Sequence, residues 1–450
     1  MNDSVADVFC LMDKDGKLLP PAVQATVLAK YSRSPDSARE IVKNLSEEEA
    51  DKFQDKYFIA YNHSSIAELA SIPICFEKVS IVATKFLEKY PRAAYSEKST
   101  RYQKFSSDSF ITPPGGPDTM KKFAARFYET YDELYPETLK RCAELMGKNP
   151  EDPAVLSSST VKARAFDNLR YLLPAGTGTN VAVVINGRDV RYMIREARGH
   201  HNQEFNWLAE KCFEAVSEIC PVFVRNAKPD NFEPRMMSLG SLSPNFNRNS
   251  PSWYVEINRP HLLPKPELVT ASFKAIVASK YSMSWSEFKA HMETRGERGV
   301  PDVFRSFRVG YEIMMDYGAW RDMQRHRRCD QSAEQLTTHY GYLVPDDLIG
   351  TPMEEKYRST MESIDIFDDE KVIYDPELMQ YMIPMGYLHR SNFEMDLAEV
   401  YYITELRTKS QGHISYRRVA WDMYMKAFNL YPELMQWCRA VRPDYIGEHR

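Results

Sequence analysis

Long apolar runs are missing from this sequence, and so is a large excess of either charge. No segment approaches the about 18 to 20 uncharged apolar residues that a membrane-spanning helix needs. The formal net charge is only -5 at pH 7, which argues against general binding of nucleic acids. We therefore expect neither a membrane protein nor a nucleic-acid-binding protein, and any basic cluster should bind a small anion.

Cysteine is scarce and shows no pairing pattern. The seven cysteines are odd in number, and no two of them are spaced as Cys-x-x-Cys, so we expect reduced thiols. The adjacent His200 and His201 have no cysteine or carboxylate at a helical ligand spacing, which predicts that no metal is bound. The sequence begins without a basic and then apolar signal segment, and the expected location is the cytoplasm.

Glycine-rich nucleotide motifs are missing as well. The Gly-Thr-Gly-Thr at residues 176–179 lacks the third glycine and the strand, turn and helix setting of a dinucleotide-binding fingerprint. What the chain does contain is apolar material for large cores, since 43% of its residues are hydrophobic and 12% are aromatic. Its 450 residues exceed one typical core, so two domains are expected.

Three segments of the first half recur in the same order in the second half. One such match could arise by chance, but three in order favour a tandem duplication. Between the copies, residues 226–267 are rich in Pro, Asn and Ser, which is typical of a linker. We therefore predict a first unit over residues 1–228, a linker over 229–266 and a second unit over 267–450. The matched pairs are 25–34 with 275–284, 95–102 with 332–340, and 171–176 with 381–386.

The most concentrated positive charge is Arg325-His326-Arg327, which follows a run from Tyr311 to Gln324 that we predict to be helical. Two guanidiniums and an imidazole in succession suit a phosphate, a pyrophosphate or a flavin ring, whose reduced form is anionic. A solvated helix end is the alternative interpretation, because charge runs usually face water.

A hydroxyl and a guanidinium stand two residues apart at Ser99 and Arg101, between Glu97 and Tyr102. In an extended or looped segment, residues two apart lie on the same side, so both can reach one phosphate or one base edge. An exposed loop with a helix-capping serine is the alternative.

Other candidate residues are weaker when taken singly. His63 precedes a strand predicted over residues 72–79, and by itself it indicates a turn or cap residue. Arg170 stands four residues before a proline, and Asn186 and Arg188 open a predicted helix.

In this order the motifs resemble those of the flavin-dependent thymidylate synthases, the ThyX family. The order is His-x-x-x-x-Glu, a strand and a helix, Arg-His-Arg, Glu-x-Ser-x-Arg-Tyr, Arg-x-x-x-Pro, Asn-x-Arg and an arginine on the last long helix. The resemblance covers roughly residues 20–225 and 270–440, so the chain is similar to two such units fused. The motifs are specific only in combination, and neither copy has the full set.

The resemblance implies roles for residues of both copies. Arg407 and Arg325 are implied to be catalytic, and no metal site is implied. The implied ligands of dUMP are Glu97, Ser99, Arg101, Tyr102, Arg170, Arg325 and Arg407. The implied ligands of FAD are His63, Arg325, His326, Arg327, Glu97, Asn186 and Arg188.

Each copy departs from the family where the other agrees with it. The first copy has Lys89-Tyr90-Pro91 in place of Arg-His-Arg, and Ala197 in place of the last-helix arginine. The second copy has His339 in place of the arginine after Glu334, and Gln380 before its proline. Working sites are therefore expected between a first copy and a second copy, either of one chain or of two chains, with about one FAD and one nucleotide per chain.

The implied reaction is the reductive methylation of dUMP at C5 to dTMP, a step of nucleotide biosynthesis. Methylenetetrahydrofolate is the implied carbon donor, reduced FAD the hydride donor and NADPH the reductant. The family uses no cysteine nucleophile, which agrees with the absence of cysteine from every motif apart from Cys329. Arginines suit the task because they bind a phosphate bidentately and stabilise negative charge on the uracil ring.

Two alternatives stay open at this point. The chain could be a methylase of another uridine monophosphate, or a non-catalytic flavin- or nucleotide-binding protein. A purely structural oligomer would leave the retained arginines unexplained. The resemblance implies an α/β (α+β) fold, with helices packed around a mostly antiparallel sheet, present twice. It also implies a homodimer, because the family assembles as a homotetramer.

Overall fold

The computed structural model describes residues 17–32, 34–60, 64–230, 252–258, 264–296, 299–369 and 375–443, together with the single positions 13, 15, 247 and 250. Its strands are β1 (Ile72–Ser80), β2 (Ala94–Glu97), β3 (Gly178–Ile185), β4 (Tyr254–Ile257), β5 (Arg308–Asp316), β6 (Asp330–Ala333) and β7 (Leu388–Asp396). Its α-helices are α1 (Pro21–Tyr31), α2 (Ala38–Lys43), α3 (Glu47–Gln54), α4 (Ser64–Ala67), α5 (Ile81–Leu87), α6 (Thr119–Leu145), α7 (Pro153–Ser157), α8 (Ser159–Leu169), α9 (Gly187–Arg198), α10 (Gln203–Ile219), α11 (Pro221–Val224), α12 (Pro266–Tyr281), α13 (Trp285–Glu293), α14 (Tyr317–Met323), α15 (Pro352–Asp369), α16 (Pro376–Met379), α17 (Leu397–Arg407), α18 (Ile414–Leu430) and α19 (Pro432–Met435).

The two halves of the chain repeat one order of elements. The series β1, α5, β2, α6, β3, α9, α10 and α11 of the first half matches β5, α14, β6, α15, β7, α17, α18 and α19 of the second. The sheets match too, because their strand orders are β1-β3-β2 and β4-β5-β7-β6, with β4 added at one edge. The pairings of β2 with β3, of β4 with β5, and of β7 with β5 and β6 are antiparallel. The expected two-copy fold of helices and antiparallel sheets is confirmed.

The chain forms two compact units that divide it differently from the sequence copies. The first unit comprises the described residues of Met1–Val79, Phe86–Lys98 and Thr179–Glu233. The second unit comprises Ser80–Lys85, Ser99–Gly178 and the described residues of Pro234–Arg450. Long segments of the first copy therefore fold together with the second copy. The boundaries predicted for the two copies and their linker stay a prediction.

The first unit contains the three-stranded sheet and the helices at the start of the chain. Ser37 and Ser46 begin α2 and α3 with capping boxes, in which each serine side chain accepts from a backbone N–H and a glutamate returns the contact. These caps fix the helix starts, so that the helices pack over a small apolar cluster. The cluster comprises Val23, Val27, Ala38, Ile41 and Ala50.

The large core of the second unit explains one wrong prediction. Residues 311–324 were expected to form a helix, but β5 continues to Asp316 and only α14 is helical. Because β5 lies between β4 and β7, its last residues are buried in succession, and a buried run of this kind has no period that separates strand from helix. The side chain of Asp316 then caps α14 by accepting from the backbone N–H of Ala319 at 2.7 Å.

The two Tyr-x-x-Pro-x-Gly segments pair with each other inside the second unit. Pro174 and Pro384 form an antiparallel bridge between them. A Cβ at Gly176 would lie 2.8 Å from the carbonyl oxygen of Tyr381, so this approach requires glycine. The flanking bonds run from Gly386 to Tyr171, from Gly176 to Tyr381, from Met385 to Leu173 and from Ala175 to Ile383, with N to O distances of 2.9, 2.7, 2.9 and 2.9 Å. Each bond has its mirror in the other copy, so the pairing has local two-fold pseudo-symmetry.

Three further observations concern the described part of the chain. None of its helices is long and apolar enough to cross a membrane. In the same residues no group of three or more His, Cys, Asp or Glu side chains is placed to hold a metal ion. The described cysteines are free thiols at positions 75, 142, 212, 220, 329 and 438.

We expect a buried histidine of β7 to make the fold sensitive to acid. His389 lies against Tyr317 and Trp320, and burial lowers the pKa of its imidazole from 6.5 to about 4. The unfolded chain binds this proton as the pH falls below 6.5, and the folded chain does not, so stability should fall from pH 6.5 to pH 4. His389→Gln should reduce the slope of the unfolding free energy against pH by about 1.4 kcal/mol per unit in this window.

Urea denaturation at several pH values measures this slope. His291→Gln, at an exposed position, is the control and should leave it unchanged. An equal slope in the wild type and in His389→Gln would contradict the assignment.

Candidate functional site

Four of the predicted arginines meet around Asp322 in the second unit. Arg101 follows β2 and Arg170 follows α8, whereas Arg325 follows α14 and Arg407 ends α17. Desolvation alone would raise the pKa of the Asp322 carboxyl, but the four guanidiniums together outweigh it and hold the pKa below its ordinary value. Asp322 is therefore ionised at neutral pH. We call these four arginines the arginine cluster.

Arg101 is held by a bidentate ion pair. Its Nε and Nη2 donate to the two carboxylate oxygens of Asp167 at 2.6 and 2.9 Å. Its Nη1 lies 3.4 Å from the hydroxyl of Tyr416, whose ring centroid is 6.0 Å from the guanidinium of Arg101 and 5.3 Å from that of Arg407. Burial raises the pKa of Asp167, and Arg101 and Arg170 oppose that rise. The pair fixes Arg101 beside the ring of Tyr416, which Arg407 also contacts.

Arg170 is the most deeply buried member of the arginine cluster, with 2% of its surface exposed. Its Nη1 lies 3.6 Å from a carboxylate oxygen of Asp322. Its Nε and Nη2 have no hydrogen-bond partner within the described residues. Gly318 provides the space, because a Cβ there would lie 3.0 Å from Nη2. A buried donor without an acceptor lowers the stability of the fold by about 1 to 3 kcal/mol, so an additional acceptor would be favourable here.

His326 holds Arg407 in place. The Nε of Arg407 donates to Nε2 of His326 at 2.7 Å, and its Nη2 donates to the backbone carbonyl of Asp322 at 2.6 Å. Burial lowers the pKa of His326, and Arg407 adds to this effect, so the ring is neutral and can accept. Its Nδ1 lies 3.6 Å from Glu399, which also accepts from Arg328 at 2.8 Å. A chain of three contacts thus orients the guanidinium of Arg407.

The remaining predicted residues of the second unit surround this cluster. The hydroxyl of Ser99 accepts from the backbone N–H of Arg101 at 3.2 Å, which shapes the loop after β2. Tyr102 is 63% exposed, and Arg327 is half-buried. Ser99, Arg101, Arg170, Arg325, His326 and Arg407 therefore belong to one unit, with Tyr102 and Arg327 at its surface.

The other predicted residues belong to the first unit. Glu97 ends β2, opposite Val181 of β3. Asn186 caps α9, because its Oδ1 accepts from the backbone N–H groups of Arg188 and Asp189 at 3.0 and 2.9 Å. The guanidinium of Arg188 forms an ion pair with Glu68. His63 lies outside the described residues.

In the first copy, an ion pair occupies the position of Arg-His-Arg. Lys89 pairs with Glu196 of α9, and its ammonium lies 4.3 Å from the ring centroid of Phe86. The hydroxyl of Tyr90 donates to the same carboxylate at 2.9 Å. Burial lowers the pKa of Lys89, although Glu196 opposes this effect. The cation of this copy is thus already neutralised by its own unit.

In the second copy, Glu334, which stands at the glutamate position of the Glu-x-Ser-x-Arg motif, already has partners of its own. Arg390 of β7 lies 3.3 Å from Glu334 and 2.7 Å from Glu312. Tyr340 also donates to Glu334. Each copy therefore satisfies its degenerate motif internally, and the intact motifs contribute to the arginine cluster.

The thiol next to the Arg-His-Arg motif is not a nucleophile at neutral pH. Burial raises the pKa of Cys329 to about 12, so the thiolate is not formed. Its sulfur lies 2.7 Å from the backbone carbonyl of His326. Cys329 therefore supports the loop rather than the chemistry.

The sequence analysis missed Asp167, Asp322, Tyr416 and Glu399. A signal for the two aspartates was present, because Asp167 precedes Arg170 by three residues, as Asp322 precedes Arg325. Residues three apart share one side of a helical turn, which places each carboxylate near that arginine. The ion pairs in the structure nevertheless join Asp167 to Arg101 and Asp322 to Arg170. Tyr416 and Glu399 have no such local signal, since their contacts join distant parts of the chain.

The cluster suits an anionic ligand. Four arginines face three aspartates, Asp167, Asp316 and Asp322, which leaves one positive charge in excess. Arg325 and Arg327 flank His326 and are the cations closest in sequence to it, so they could hold an electron-rich cofactor ring or its phosphates.

Comparisons with known proteins agree with the two-copy organisation. The family model described as thymidylate synthase complementing protein matches residues 20–222 and again 266–433. A UPF0159 protein of Chlamydia pneumoniae is 28% identical over 493 residues, covering 95% of this chain and 90% of its own length. A UPF0159 protein of Thermoplasma acidophilum is 26% identical, covering 91% of this chain and 93% of its own length.

Shorter relatives match about half of the chain. The flavin-dependent thymidylate synthase of Clostridium tetani is 26% identical over 202 residues, covering 45% of this chain and 80% of its own length. The crystal structure of flavin-dependent thymidylate synthase ThyX from Helicobacter pylori, complexed with FAD and dUMP, covers 47% of this chain and 96% of its own, with 14% identity and a TM-score of 0.34.

Proposed function

Because the chain belongs to the family of the thymidylate synthase complementing proteins, we propose that it is a flavin-dependent thymidylate synthase. In this proposal it methylates dUMP at C5 to give dTMP, with methylenetetrahydrofolate as carbon donor. Bound FAD, reduced by NADPH, supplies the hydride. The reaction is that of the half-length relatives named flavin-dependent thymidylate synthase.

The arginine cluster is the observation that carries this proposal. It combines two arginines of the intact first-copy motifs with two of the intact second-copy motifs. The buried N–H groups of Arg170 that have no partner within the described residues supply the strongest support, because a phosphate or carbonyl oxygen would satisfy them. Leaving these N–H groups unsatisfied costs free energy in the fold without ligand, and a bound acceptor would recover that cost.

We assign the nucleotide to residues on both sides of the cluster. The guanidiniums of Arg101 and Arg170 would bind the phosphate, with Ser99 shaping the loop. Arg407 and Arg325 would lie at the uracil ring, where positive charge stabilises the anion that makes C5 nucleophilic. Glu97 and Tyr102 are assigned to the nucleotide by the resemblance alone.

We assign FAD to Arg325, His326 and Arg327. The resemblance adds His63, Glu97, Asn186 and Arg188, although Asn186 and Arg188 already have partners in their own unit. The neutral ring of His326 accepts from Arg407, so in this proposal His326 also positions the arginine that acts on the substrate.

The proposal is tested on the purified chain. Flavin absorbance after removal of free cofactor measures FAD binding. Release of tritium from C5 of labelled dUMP, with methylenetetrahydrofolate and NADPH, measures turnover. Mass spectrometry of the products from dUMP and from UMP identifies the nucleotide. A flavin-loaded chain that converts neither nucleotide would contradict the assignment of the chain as an enzyme.

A second candidate function is binding of flavin or nucleotide without turnover. The observation that favours it is Asp322, whose ionised carboxylate already interacts with all four arginines and would repel a phosphate. The same experiment separates the two, because the binder would be yellow and inactive. Conversion of UMP but not dUMP would instead identify a methylase of another uridine monophosphate.

Arg327→Ala is expected to lose bound flavin while the fold survives. Arg327 is half-buried and supplies charge at the cofactor motif, so its removal should weaken the cofactor more than the core. Flavin content per chain and the thermal unfolding midpoint are the two measurements. Arg308→Ala removes an arginine whose side chain is 57% exposed and should keep the flavin. Equal flavin content in both variants would remove Arg327 from the site.

We expect one flavin and one nucleotide per chain. Arg101 and Arg407 flank the same Tyr416 ring within one chain, and the degenerate motifs are satisfied internally. Mixing an Arg101→Ala chain with an Arg407→Ala chain should therefore restore no activity. Restored activity, or two flavins per chain, would contradict a single site formed within each chain. The proposed assembly of these chains is a homodimer.

A further inference from the structure

A cavity lies in the second unit, beside the arginine cluster. Its volume is about 410 Å³, within the range of small-molecule sites. Its walls come from α8, the segment that precedes α15, and the start of α18. None of the four clustered arginines lines it, although Asp167, the ion-pair partner of Arg101, does. The cavity therefore adjoins the proposed nucleotide site, shares Asp167 with it and is lined by a different set of arginines.

The charges on the cavity wall do not cancel. The wall contains four arginines but only three aspartates. His413 adds no charge, because burial lowers its pKa well below the ordinary value and the arginines around it lower the pKa further. Outside the wall, Arg101 pairs with Asp167 and Glu354 pairs with Arg358, and these two charges cancel. One positive charge is therefore left over, and the wall favours a ligand with a single negative charge. The lining arginines are Arg164, Arg358, Arg417 and Arg418, and the aspartates are Asp167, Asp346 and Asp347.

The lining is also aromatic and held in place. Trp253 lines the cavity, its indole N–H donates to Asp422 at 3.1 Å, and the guanidinium of Arg418 lies 4.9 Å from its ring centroid. Tyr171 and Tyr342 add two further rings to the wall. A flat ring inserted among these side chains would bury apolar surface, and its charge would lie near guanidinium groups.

The floor of the cavity is preorganised by a network of buried polar groups. Asp347 accepts from Nε and Nη2 of Arg164 at 2.8 and 2.9 Å, and from Asn168 at 2.8 Å. These contacts satisfy Asp347, which is 3% exposed, so the floor needs little rearrangement when a ligand binds.

We propose that this cavity binds a small aromatic molecule that carries one negative charge, such as an aromatic carboxylate. The ring lies against Trp253 and the tyrosines, and the carboxylate faces the arginines at the start of α18. This inference does not depend on the proposed reaction at the arginine cluster.

Isothermal titration of the full chain with 2-naphthoate tests the proposal, with the neutral 2-naphthamide as the matched probe. We expect 2-naphthoate to bind at least about tenfold more tightly than 2-naphthamide, because one charge separates them. Saturating dUMP should leave the affinity for 2-naphthoate unchanged. Equal affinity for the two probes, or competition by dUMP, would overturn the proposal.

Two variants change the cavity charge in opposite directions. Arg418→Gln should weaken binding of 2-naphthoate about tenfold, and Asp346→Asn should strengthen it about tenfold. Both side chains are partly exposed, at 23% and 30%, so the fold should tolerate each change. Because the expected effects have opposite signs, a general loss of folding cannot imitate both. An unchanged affinity in the two variants would contradict the assignment.

Discussion

Arg101→Ala is expected to lower the free energy of unfolding by about 3 to 5 kcal/mol, the scale for breaking one side of a buried ion pair. The side chains of Arg101 and Asp167 are only 11% and 15% exposed, and their contact is bidentate. Without the guanidinium, the Asp167 carboxylate loses its main counter-charge. Urea denaturation of the variant and the wild type measures the change.

A double variant separates the ion pair from simple loss of packing. Arg101→Ala with Asp167→Asn should recover part of the lost stability, because no unpaired carboxylate remains. Arg308→Ala is the control for an exposed pair and should cost about 1 kcal/mol or less. Additive effects of the two substitutions at the buried pair would show that Arg101 and Asp167 are not coupled.

Arg170→Met is expected to destabilise the fold strongly, again by about 3 to 5 kcal/mol, because one guanidinium serves three carboxylates. Burial raises the pKa of Asp316, and Arg170 is the largest charge effect opposing that rise. Arg170 is also the largest charge effect that lowers the pKa of Asp322, and it acts on Asp167 as well. Removal of this cation leaves three acidic groups in one desolvated region.

Arg170→Lys distinguishes the structural role of Arg170 from its binding role. Lysine keeps the positive charge but not the planar fork that presents Nε and Nη2. We therefore expect most of the stability to be retained and nucleotide affinity to fall by about 30-fold or more, the scale of a lost charge-assisted pair. Urea denaturation of the variant measures the free energy of unfolding, and nucleotide titration of the same protein measures the affinity. Unchanged affinity would assign Arg170 to the core alone.

Local signals were sufficient for many elements of the fold. The strand predicted over residues 72–79 is β1, and the helix predicted to open at Asn186 is α9, with Asn186 as its cap. Alternating burial and capping side chains are short-range properties, so sequence alone could identify them. The tandem organisation was also visible, because the paired segments kept their order.

Contacts between distant segments were not predictable in the same way. The ion pair of Arg101 with Asp167 joins residues 66 positions apart, and Arg407 meets His326 across 81 positions. The helix predicted over residues 311–324 was wrong for a related reason. The burial of its first residues depends on the neighbouring strands β4 and β7 rather than on the local sequence pattern. Motif arginines could therefore be named, but not the carboxylates that neutralise them.

The pairing of the two Tyr-x-x-Pro-x-Gly segments has a genetic consequence. In an oligomer of identical subunits, every substitution appears in each copy of the interface, so no subunit can specialise alone. In this chain the two partners are encoded separately and tethered, and their encounter has an effective concentration that dilution does not change. Selection could therefore act on each half independently, and one half could lose a motif as long as the other retained it.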